Sequence, residues 1–273
     1  MKPLALLITM FYLTVTYAQK QPLSNQKTAV LILGNDAQSH ARGQLDEIAK
    51  VFQKNGVFVY KFYFPNAEWN DIISKANSCS FFIYSGHGVE NGGLDGEFGG
   101  LYVNEFVMAS DIVNDLNFEN KPLIIYLNAC GSHGTSQDDP DDIGIPEALN
   151  RVTDTALPFF ISGAGGYFAT SGSITGFFQT GFLQVFLDGT SLLKCYKSHV
   201  GDWQDIVKHK VITSQDALNQ FYIGIASRGE GRDVIYEDNK TIIKESNPKI
   251  RYYGTAYISP INYSINSIIP INK

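Results

Sequence analysis

The sequence predicts an α/β protein with a doubly wound, mostly parallel sheet and helices on both faces. Three observations indicate this fold class: short apolar runs alternate with amphipathic segments, the runs have the length of strands, and several end in glycine-containing turns. Strands buried on both faces need continuous apolar runs, and the amphipathic segments fit the helices that connect them. The sequence shows no internal repeat and no Pro/Ser-rich linker, so we expect one domain.

The elements of the first half of the chain follow from clear patterns. Apolar runs predict strands at 29–33, 57–63, 80–84 and 122–127. Apolar residues at helical spacing predict helices at 42–55, 67–75 and 107–116. The glycine-rich residues 91–100 predict a hairpin or a lid between the third and fourth strands.

The second half of the chain is less regular. An acidic loop at 137–142 precedes a helix expected at 146–152, a fifth strand at 157–161 and an aromatic-rich helix at 174–188. Nearer the C-terminus, the pattern indicates a helix near 214–222 and strands at 233–237 and 250–258.

Residues 1–18 have the pattern of a cleavable secretory signal. Lys2 supplies a positive start, Leu4 to Tyr17 is almost wholly apolar, and small residues at Thr16 and Ala18 precede Gln19. The alternative is an uncleaved membrane anchor, but the apolar run is short for a membrane span. We therefore expect a secreted or periplasmic protein that has no membrane association after the signal is removed.

The charge of the chain argues against two classes of partner. The formal net charge is −6, and the sequence has no Lys/Arg run. Nucleic acids and anionic membranes attract basic patches, so neither is expected as a partner. A protein or peptide substrate is compatible with this composition.

Two reactive residues follow neighbouring apolar runs. His87 lies in Ser85-Gly86-His87-Gly88 after the third predicted strand, and Cys130 lies in Asn128-Ala129-Cys130-Gly131 after the fourth. The functional crevice of an open α/β sheet lies beyond the carboxyl ends of its strands, so adjacent strands would bring these residues together. Alone, such a cysteine is usually structural and such a histidine is usually a polar loop residue. Together they predict a cysteine nucleophile with a histidine base, and the flanking glycines expose amides for an oxyanion.

The segments Phe82–Gly88 and Ile125–Gly131 resemble the His and Cys motifs of the caspase-like superfamily, which includes caspases, metacaspases, legumains, gingipains and CHAT peptidases. Residues 160–167 resemble the strand and loop that follow the nucleophile in metacaspases. The resemblance is clearest over 28–190. It implies a caspase-like catalytic domain over 28–260 and a C-terminal tail over 261–273.

The same resemblance implies a role for each motif residue. Cys130 would be the nucleophile, His87 the general base or acid, and the amides of Gly88 and Cys130 the oxyanion hole. This sequence departs from metacaspases at Asn128, where they carry Asp, and in Ala164–Tyr167, which lacks their substrate-selecting acid. Specificity for basic residues is therefore not supported. Four arginines are candidates for holding an acidic substrate, although none lies in a motif: Arg42, Arg151, Arg228 and Arg232.

Several other residues have competing interpretations. His133 follows Cys130 at a metal-ligand spacing, but no second pair exists, so we expect a solvent-facing loop histidine. His40 is expected at the surface, with the same crevice as the alternative. The acidic run at 138–142 offers oxygen ligands for Ca²⁺ but lacks the EF-hand spacing, which favours a solvated loop and no required cofactor. Cys79 and Cys195 remain candidates for a disulfide.

These observations leave three functions open. A cysteine endopeptidase fits the complete pair of motifs best. A catalytically inactive, caspase-fold binding or scaffold protein would explain the missing acidic residue. A transpeptidase-type acyl transferase would use the same two residues, because fold alone does not determine the reaction.

Overall fold

In the computed structural model, one large sheet organises the chain. The structure describes residues 21–23, 25–35, 37, 40–94, 98–136, 139, 142–171, 181–200, 204–205, 210–214, 218–230, 232–237, 240–245 and 251–269. The predicted signal at 1–18 lies outside these residues. No helix in the described part of the chain is both long enough and apolar enough to cross a membrane.

The strands lie close to the predicted positions in the first half of the chain and differ more in the second. In chain order they are β1 Thr28–Leu33, β2 Phe58–Tyr63, β3 Phe81–Ser85, β4 Leu101–Tyr102, β5 Phe106–Val107, β6 Leu123–Leu127, β7 Gly166–Thr170, β8 Gln204–Asp205, β9 Lys210–Ser214, β10 Leu218–Glu230, β11 Arg232–Glu237, β12 Lys240–Glu245 and β13 Arg251–Ser259.

The helices connect the strands in the order that a doubly wound sheet requires. They are α1 Ala41–Lys54, α2 Trp69–Ala76, α3 Ala109–Asp115, α4 Gly144–Ile161, α5 Phe182–Leu187 and α6 Leu192–Val200, and a short 3₁₀ turn covers Ile265–Ser267. The small β4–β5 hairpin begins directly after the hairpin or lid predicted at 91–100.

The sheet has a parallel half and an antiparallel half. Within the described residues, its order is β2-β1-β3-β6-β7-β13-β10-β8, with β9 also paired to β10. Strands β2 through β7 in this order are parallel, whereas β13, β10, β9 and β8 join in antiparallel pairs. The four crossovers of the parallel half place all its carboxyl ends at one edge.

The core consists of two apolar layers, one on each face of the sheet. One layer packs Tyr84 and Ile124 against α2, α3 and α4, and the other packs Phe81 and Ile125 against α1, α5 and α6. Alternate residues of the same strand thus belong to opposite layers, as the period of a strand dictates. The predicted α/β class with helices on both faces is confirmed.

Two predicted elements in the second half are wrong. The strand expected at 157–161 is the last part of α4, because the buried stripe of Val152, Ala156 and Phe159 continues at helical spacing. A short apolar run does not distinguish a buried strand from a buried helix end. The helix expected near 214–222 is also wrong, since β10 begins at Leu218 and pairs with β9 and β13.

Other differences concern extent. The helix predicted at 146–152 is longer and runs from Gly144 to Ile161. Part of the helix predicted at 174–188 is α5, and 172–180 lie outside the described residues. The segment after β13 returns to the sheet, where Tyr263, Ile265 and Ile268 are buried in the layer that contains α1.

Candidate active site

The two predicted catalytic turns lie side by side at the carboxyl edge of the parallel half. Strands β3 and β6 are neighbours, and Ser85 is paired with Leu127 at their last residues. The turn with His87 and the turn with Cys130 therefore leave the sheet at the same place. A Cβ atom on Gly88 would overlap the Cys130 carbonyl oxygen, so the backbones of the two turns are in contact and only glycine fits there.

The Cys130 turn has a tightly specified backbone. Asn128 begins it in the left-handed region (φ 58°), and Gly131 adopts φ 75°. The Asn128 amide donates to the Thr170 carbonyl of β7 at 2.9 Å, and the Gly131 amide donates to the Thr135 carbonyl at 3.0 Å. Asn tolerates left-handed backbone better than most residues, which gives Asn128 a conformational role where metacaspases carry Asp. Cys130 itself is partly exposed and forms no disulfide.

The loop after Cys130 is anchored to the sheet by buried polar groups. The Tyr167 hydroxyl donates to the Ser132 carbonyl at 2.8 Å, and the Thr135 hydroxyl donates to the Tyr253 carbonyl at 2.5 Å. His133 Nδ1 lies 3.0 Å from the same Tyr253 carbonyl and carries the proton if this contact is a hydrogen bond. His133 is 3% exposed, so the expectation of a solvent-facing histidine is wrong. The anchors explain its burial, because they bring the loop against β13.

The His87 turn presents its side chain to solvent. His87 is exposed, whereas the preceding Ser85 and Gly86 are buried. The Tyr84 hydroxyl donates to the His87 carbonyl at 2.7 Å, and the Gly34 amide donates to the Ser85 carbonyl at 2.9 Å. The backbone of the turn is therefore supported from below while the ring remains accessible.

The backbone amides predicted for the oxyanion hole lie at the contact between the turns. Among the described residues, the N–H groups of Gly88 and Cys130 donate to no backbone carbonyl. Gly88 is partly exposed, as is Cys130. Two available donors beside a thiol can stabilise the negative oxygen of a tetrahedral intermediate.

An ion cluster flanks the Cys130 turn, in which Arg151 and Asp139 are mostly buried and Glu147 is more exposed. Arg151 of α4 contacts Asp139 at 2.8 Å and Glu147 at 2.8 Å, and the side chains of Arg151 and Asp139 are each 11% exposed. The guanidinium lies 4.3 Å from the centre of the Phe98 ring. A Cβ atom on Gly131 would overlap that same ring, so the cluster reaches the backbone beside Cys130.

This cluster corrects two sequence-based expectations. Arg151 already binds two carboxylates of its own chain, which argues against a role in holding an acidic substrate. Asp139 belongs to the acidic run predicted to be a solvated loop, but it is mostly buried and also accepts a hydrogen bond from the Ser136 amide at 2.7 Å. The remainder of that run, apart from exposed Asp142, lies outside the described residues.

The other candidate ligands do not assemble into a site within the described part of the chain. Arg42 donates to the Phe64 carbonyl from α1, and His40 is exposed at the start of the same helix. The side chains of Arg228 and Arg232 are outside what the structure describes. Among the described residues, no group of three or more His, Cys, Asp or Glu side chains could hold a metal ion.

The residues at 164–167 lie at the opposite edge of the sheet. Gly166 begins β7 opposite Leu123, and Thr170 ends it at the catalytic edge, so Gly166 is four residues away from that edge. The strand that this resemblance implied near 160 is therefore wrong, since residues 160 and 161 end α4 and the next strand is β7. The sequence of 171–180 contains no acidic residue either, so specificity for basic side chains remains without support.

Cys79 and Cys195 do not pair. Both are unpaired thiols, and they lie in different apolar layers, on opposite faces of the sheet. Burial raises the pKa of the Cys195 thiol to about 12 and raises the pKa of Cys79 as well. Neither has the exposure or the thiolate character of a nucleophile.

The residues that support the two turns are three buried tyrosines, Phe98 and Asp139. Tyr84 and Tyr126 belong to two of the predicted apolar strands, whereas Tyr167 lies in β7, which was not predicted. Each of the three carries a hydroxyl that needs a partner once it is buried. A tyrosine next to the end of a buried run is the signal that could have found Tyr84 and Tyr126, but Tyr167 is the second residue of β7 and lacks it. Phe98 and Asp139 carried no comparable signal, because both lie in irregular segments.

The sheet, with a cysteine turn and a histidine turn in contact at one edge, defines an α/β protein of the caspase-like class. The profile of peptidase family C25 matches residues 5–224. The chain therefore belongs to peptidase family C25, which comprises gingipain-type cysteine peptidases of the caspase-like clan. No curated protein matches the chain. Family membership makes this chain a cysteine peptidase that acts on proteins, without distinguishing the caspase, metacaspase or legumain types.

Proposed function

We propose that this chain is an endopeptidase that cleaves peptide bonds with Cys130 as the nucleophile and His87 as the general base and acid. The observation that carries the proposal is the contact between the Gly88 and Cys130 backbones, which joins the two turns at the carboxyl edge. Cys130 combines partial exposure with a fixed backbone, and His87 combines exposure with a supported carbonyl. The other two cysteines are buried in the core.

The reaction follows from this arrangement. The imidazole of His87 accepts the Cys130 thiol proton as the sulfur attacks the carbonyl carbon of the substrate. The amides of Gly88 and Cys130 donate to the oxygen that becomes negative. The imidazolium then gives its proton to the departing amine, which leaves an acyl-enzyme. Water, deprotonated by His87, hydrolyses the thioester and restores the thiol.

The decisive experiment compares Cys130→Ala with the unaltered protein on a diverse peptide library. We expect Cys130→Ala to abolish cleavage, because removal of a catalytic nucleophile lowers kcat by a factor on the order of 10⁶. Cys195→Ala is the matched control: it removes a thiol from a buried layer and should retain kcat. Cleavage by both variants at the same rate would overturn the assignment of Cys130.

The assay also separates the alternative functions. An inactive scaffold protein would cleave nothing in the library, but the available Gly88 and Cys130 amides disfavour it, since an abandoned site has no need for them. A transpeptidase would transfer the acyl group to an added amine, whereas an endopeptidase releases the free acid. We expect the free acid, and we expect cleavage without an added metal ion, with Ca²⁺ addition as the comparison.

We further propose that the chain is exported, with one catalytic domain over 28–260. The support is the sequence pattern of residues 1–18 and the acidic, globular composition of the remainder. Expression with residues 1–18 intact should yield protein outside the cytoplasm that begins at Gln19. N-terminal sequencing of the recovered protein checks this, and a chain that still begins at Met1 in the cytoplasm would contradict it.

A further inference from the structure

Three tyrosines form a row across the centre of the sheet, on the face that packs against α4. Tyr84 of β3 is paired with Tyr126 of β6, and Tyr167 of β7 follows on the next strand. The ring centres are 5.2 Å apart for Tyr84 and Tyr126 and 5.8 Å apart for Tyr126 and Tyr167. All three residues are 0% exposed. Rings in such contact move little relative to one another, because the surrounding core is close-packed.

Each hydroxyl of this tyrosine row holds a different loop at the catalytic edge. Tyr84 donates to the His87 carbonyl at 2.7 Å, and Tyr167 donates to the Ser132 carbonyl at 2.8 Å. Tyr126 donates to the Gly100 carbonyl at 3.0 Å. The histidine turn, the cysteine loop and the end of the glycine-rich segment are thus all fastened to one row of rings.

The hydroxyls are not explained by core packing. Phenylalanine would fill the same space without burying a polar atom, and burial of an oxygen is costly unless it is hydrogen-bonded. Burial also raises the pKa of Tyr84, Tyr126 and Tyr167, so all three remain protonated donors. The loops that receive these bonds are the ones that carry the proposed chemistry.

Tyr84 has the most contacts of this kind. Its oxygen also accepts a hydrogen bond from the Tyr102 amide at 3.1 Å, which connects the β4–β5 hairpin to the histidine turn. A Cβ atom on Gly86 would lie 2.5 Å from this oxygen, and one on Gly34 would lie 2.7 Å from it. The Tyr84 hydroxyl can therefore approach the turn only because residue 86 is glycine. This explains Gly86 more specifically than the need for an exposed amide does.

We propose that Tyr84, Tyr126 and Tyr167 are positioning residues of the peptidase, whose hydroxyls fix the His87 turn, the glycine-rich segment and the Cys130 loop relative to one another. The proposal rests on the function proposed for Cys130 and His87. The three tyrosines touch no substrate; they act through the loop carbonyls. Because the rings pack on each other, a displacement of one loop is resisted by all three strands.

The test replaces each hydroxyl by hydrogen in Tyr84→Phe, Tyr126→Phe and Tyr167→Phe. The matched control is Tyr263→Phe, since Tyr263 is also buried and donates to a loop carbonyl, that of Lys121 at 2.9 Å, at the opposite edge of the sheet. The measurements are kcat and KM on one peptide, the rate at which iodoacetamide alkylates Cys130, and the melting temperature.

We expect the melting temperatures of Tyr167→Phe and Tyr263→Phe to fall by similar amounts, because each loses one buried hydrogen bond. The melting temperature of Tyr84→Phe should fall further, because this variant also loses the bond from the Tyr102 amide. In Tyr84→Phe and Tyr167→Phe, kcat should fall about tenfold or more with KM within about twofold, because small displacements of reacting groups reduce the rate steeply. Alkylation of Cys130 should slow in Tyr84→Phe as well. Tyr263→Phe should change neither rate, and Tyr126→Phe should lie between these two results.

A fall in kcat that is no larger in Tyr84→Phe and Tyr167→Phe than in Tyr263→Phe would overturn the positioning role while leaving the proposed function intact. Cleavage that persists in Cys130→Ala would instead overturn both proposals. That result requires only the Cys130→Ala variant, so it is distinguished from a failure of the positioning role. Should Tyr84→Phe not fold, Tyr167→Phe decides the question alone.

Discussion

The two turns of the candidate site are held in different ways. The Cys130 turn and its loop are fixed by strands on one side: Asn128 is bonded to β7, Ser132 to Tyr167, and Thr135 to the Tyr253 carbonyl of β13. The His87 turn rests on the Tyr84 hydroxyl, and its ring is exposed. A nucleophile benefits from a single fixed position, whereas a base must be accessible to the groups that it deprotonates and protonates.

Gly88→Ala would break the contact between the two turns and should have the largest effect. The new Cβ would overlap the Cys130 carbonyl, a backbone atom that cannot rotate away, so the turns must separate. We expect peptidase activity to fall by about 10²-fold or more. Steady-state kinetics checks this, with Gly43→Ala as control, since a Cβ there meets nothing within 4 Å. Equal activity of the two variants would show that the contact is dispensable.

Arg151→Met tests the ion cluster on the cysteine side. The change leaves Asp139 and Glu147 without their cation, and removal of one partner from a largely buried pair costs about 3 kcal/mol. Urea denaturation measures the loss in the free energy of unfolding. Lys50→Met removes the exposed Lys50–Glu47 pair and should leave stability nearly unchanged. A small loss in Arg151→Met would mean that the loop is held by its other bonds alone.

Gly131→Ala tests how closely Phe98 packs on the cysteine turn. Both Gly131 and Gly56 have φ 75°, but a Cβ meets the Phe98 ring at Gly131 and nothing within 4 Å at Gly56. Left-handed backbone costs a non-glycine residue about 1–2 kcal/mol, so Gly56→Ala should lose about that much stability. Gly131→Ala should lose more, and thermal melts of the two variants give the difference. Equal losses of stability in the two variants would show that the Phe98 ring can move aside at little cost.

Thr135→Val should have the smallest effect. It removes the hydroxyl bonded to the Tyr253 carbonyl and should cost about 1 kcal/mol without changing kcat, because His133 remains at the same carbonyl. Thr153→Val is the control, since that hydroxyl bonds only within α4, to the Leu149 carbonyl at 2.8 Å. Chemical denaturation and kinetics together check this prediction. A large fall in kcat would place Thr135 among the residues that orient Cys130.

Much of the parallel half could be predicted because its strands are continuous apolar runs. The runs that contain Val30, Ile83 and Ile125 are apolar on both faces of the strand, so they are buried between two helical layers. The positions of His87 and Cys130 then follow from the common direction of parallel strands. Their contact through Gly88 could not be predicted, since it depends on the register of Ser85 with Leu127.

The antiparallel half was harder to predict for a physical reason. In β10, buried Phe221, Ile223 and Ile225 alternate with a half-buried Tyr222 and a buried Gly224, so hydropathy shows no clean period of two. Residues 157–161 were predicted to be a strand but are helical. Phe159 and Phe160 lie at the end of α4, whose amphipathic start lies many residues earlier. The tyrosine row was missed because a hydropathy pattern does not register a hydroxyl.

The different locations of the three cysteines allow the catalytic site to be counted by chemical labelling. Cys79 and Cys195 lie in opposite layers, where burial raises both pKa values and keeps the thiols protonated and shielded in mildly alkaline solution. Cys130 alone is partly exposed. An alkylating reagent applied to the native protein should therefore label Cys130 alone. The fraction of chains that gain the mass of one label gives the fraction of molecules with a reactive site, and no substrate is needed for this measurement.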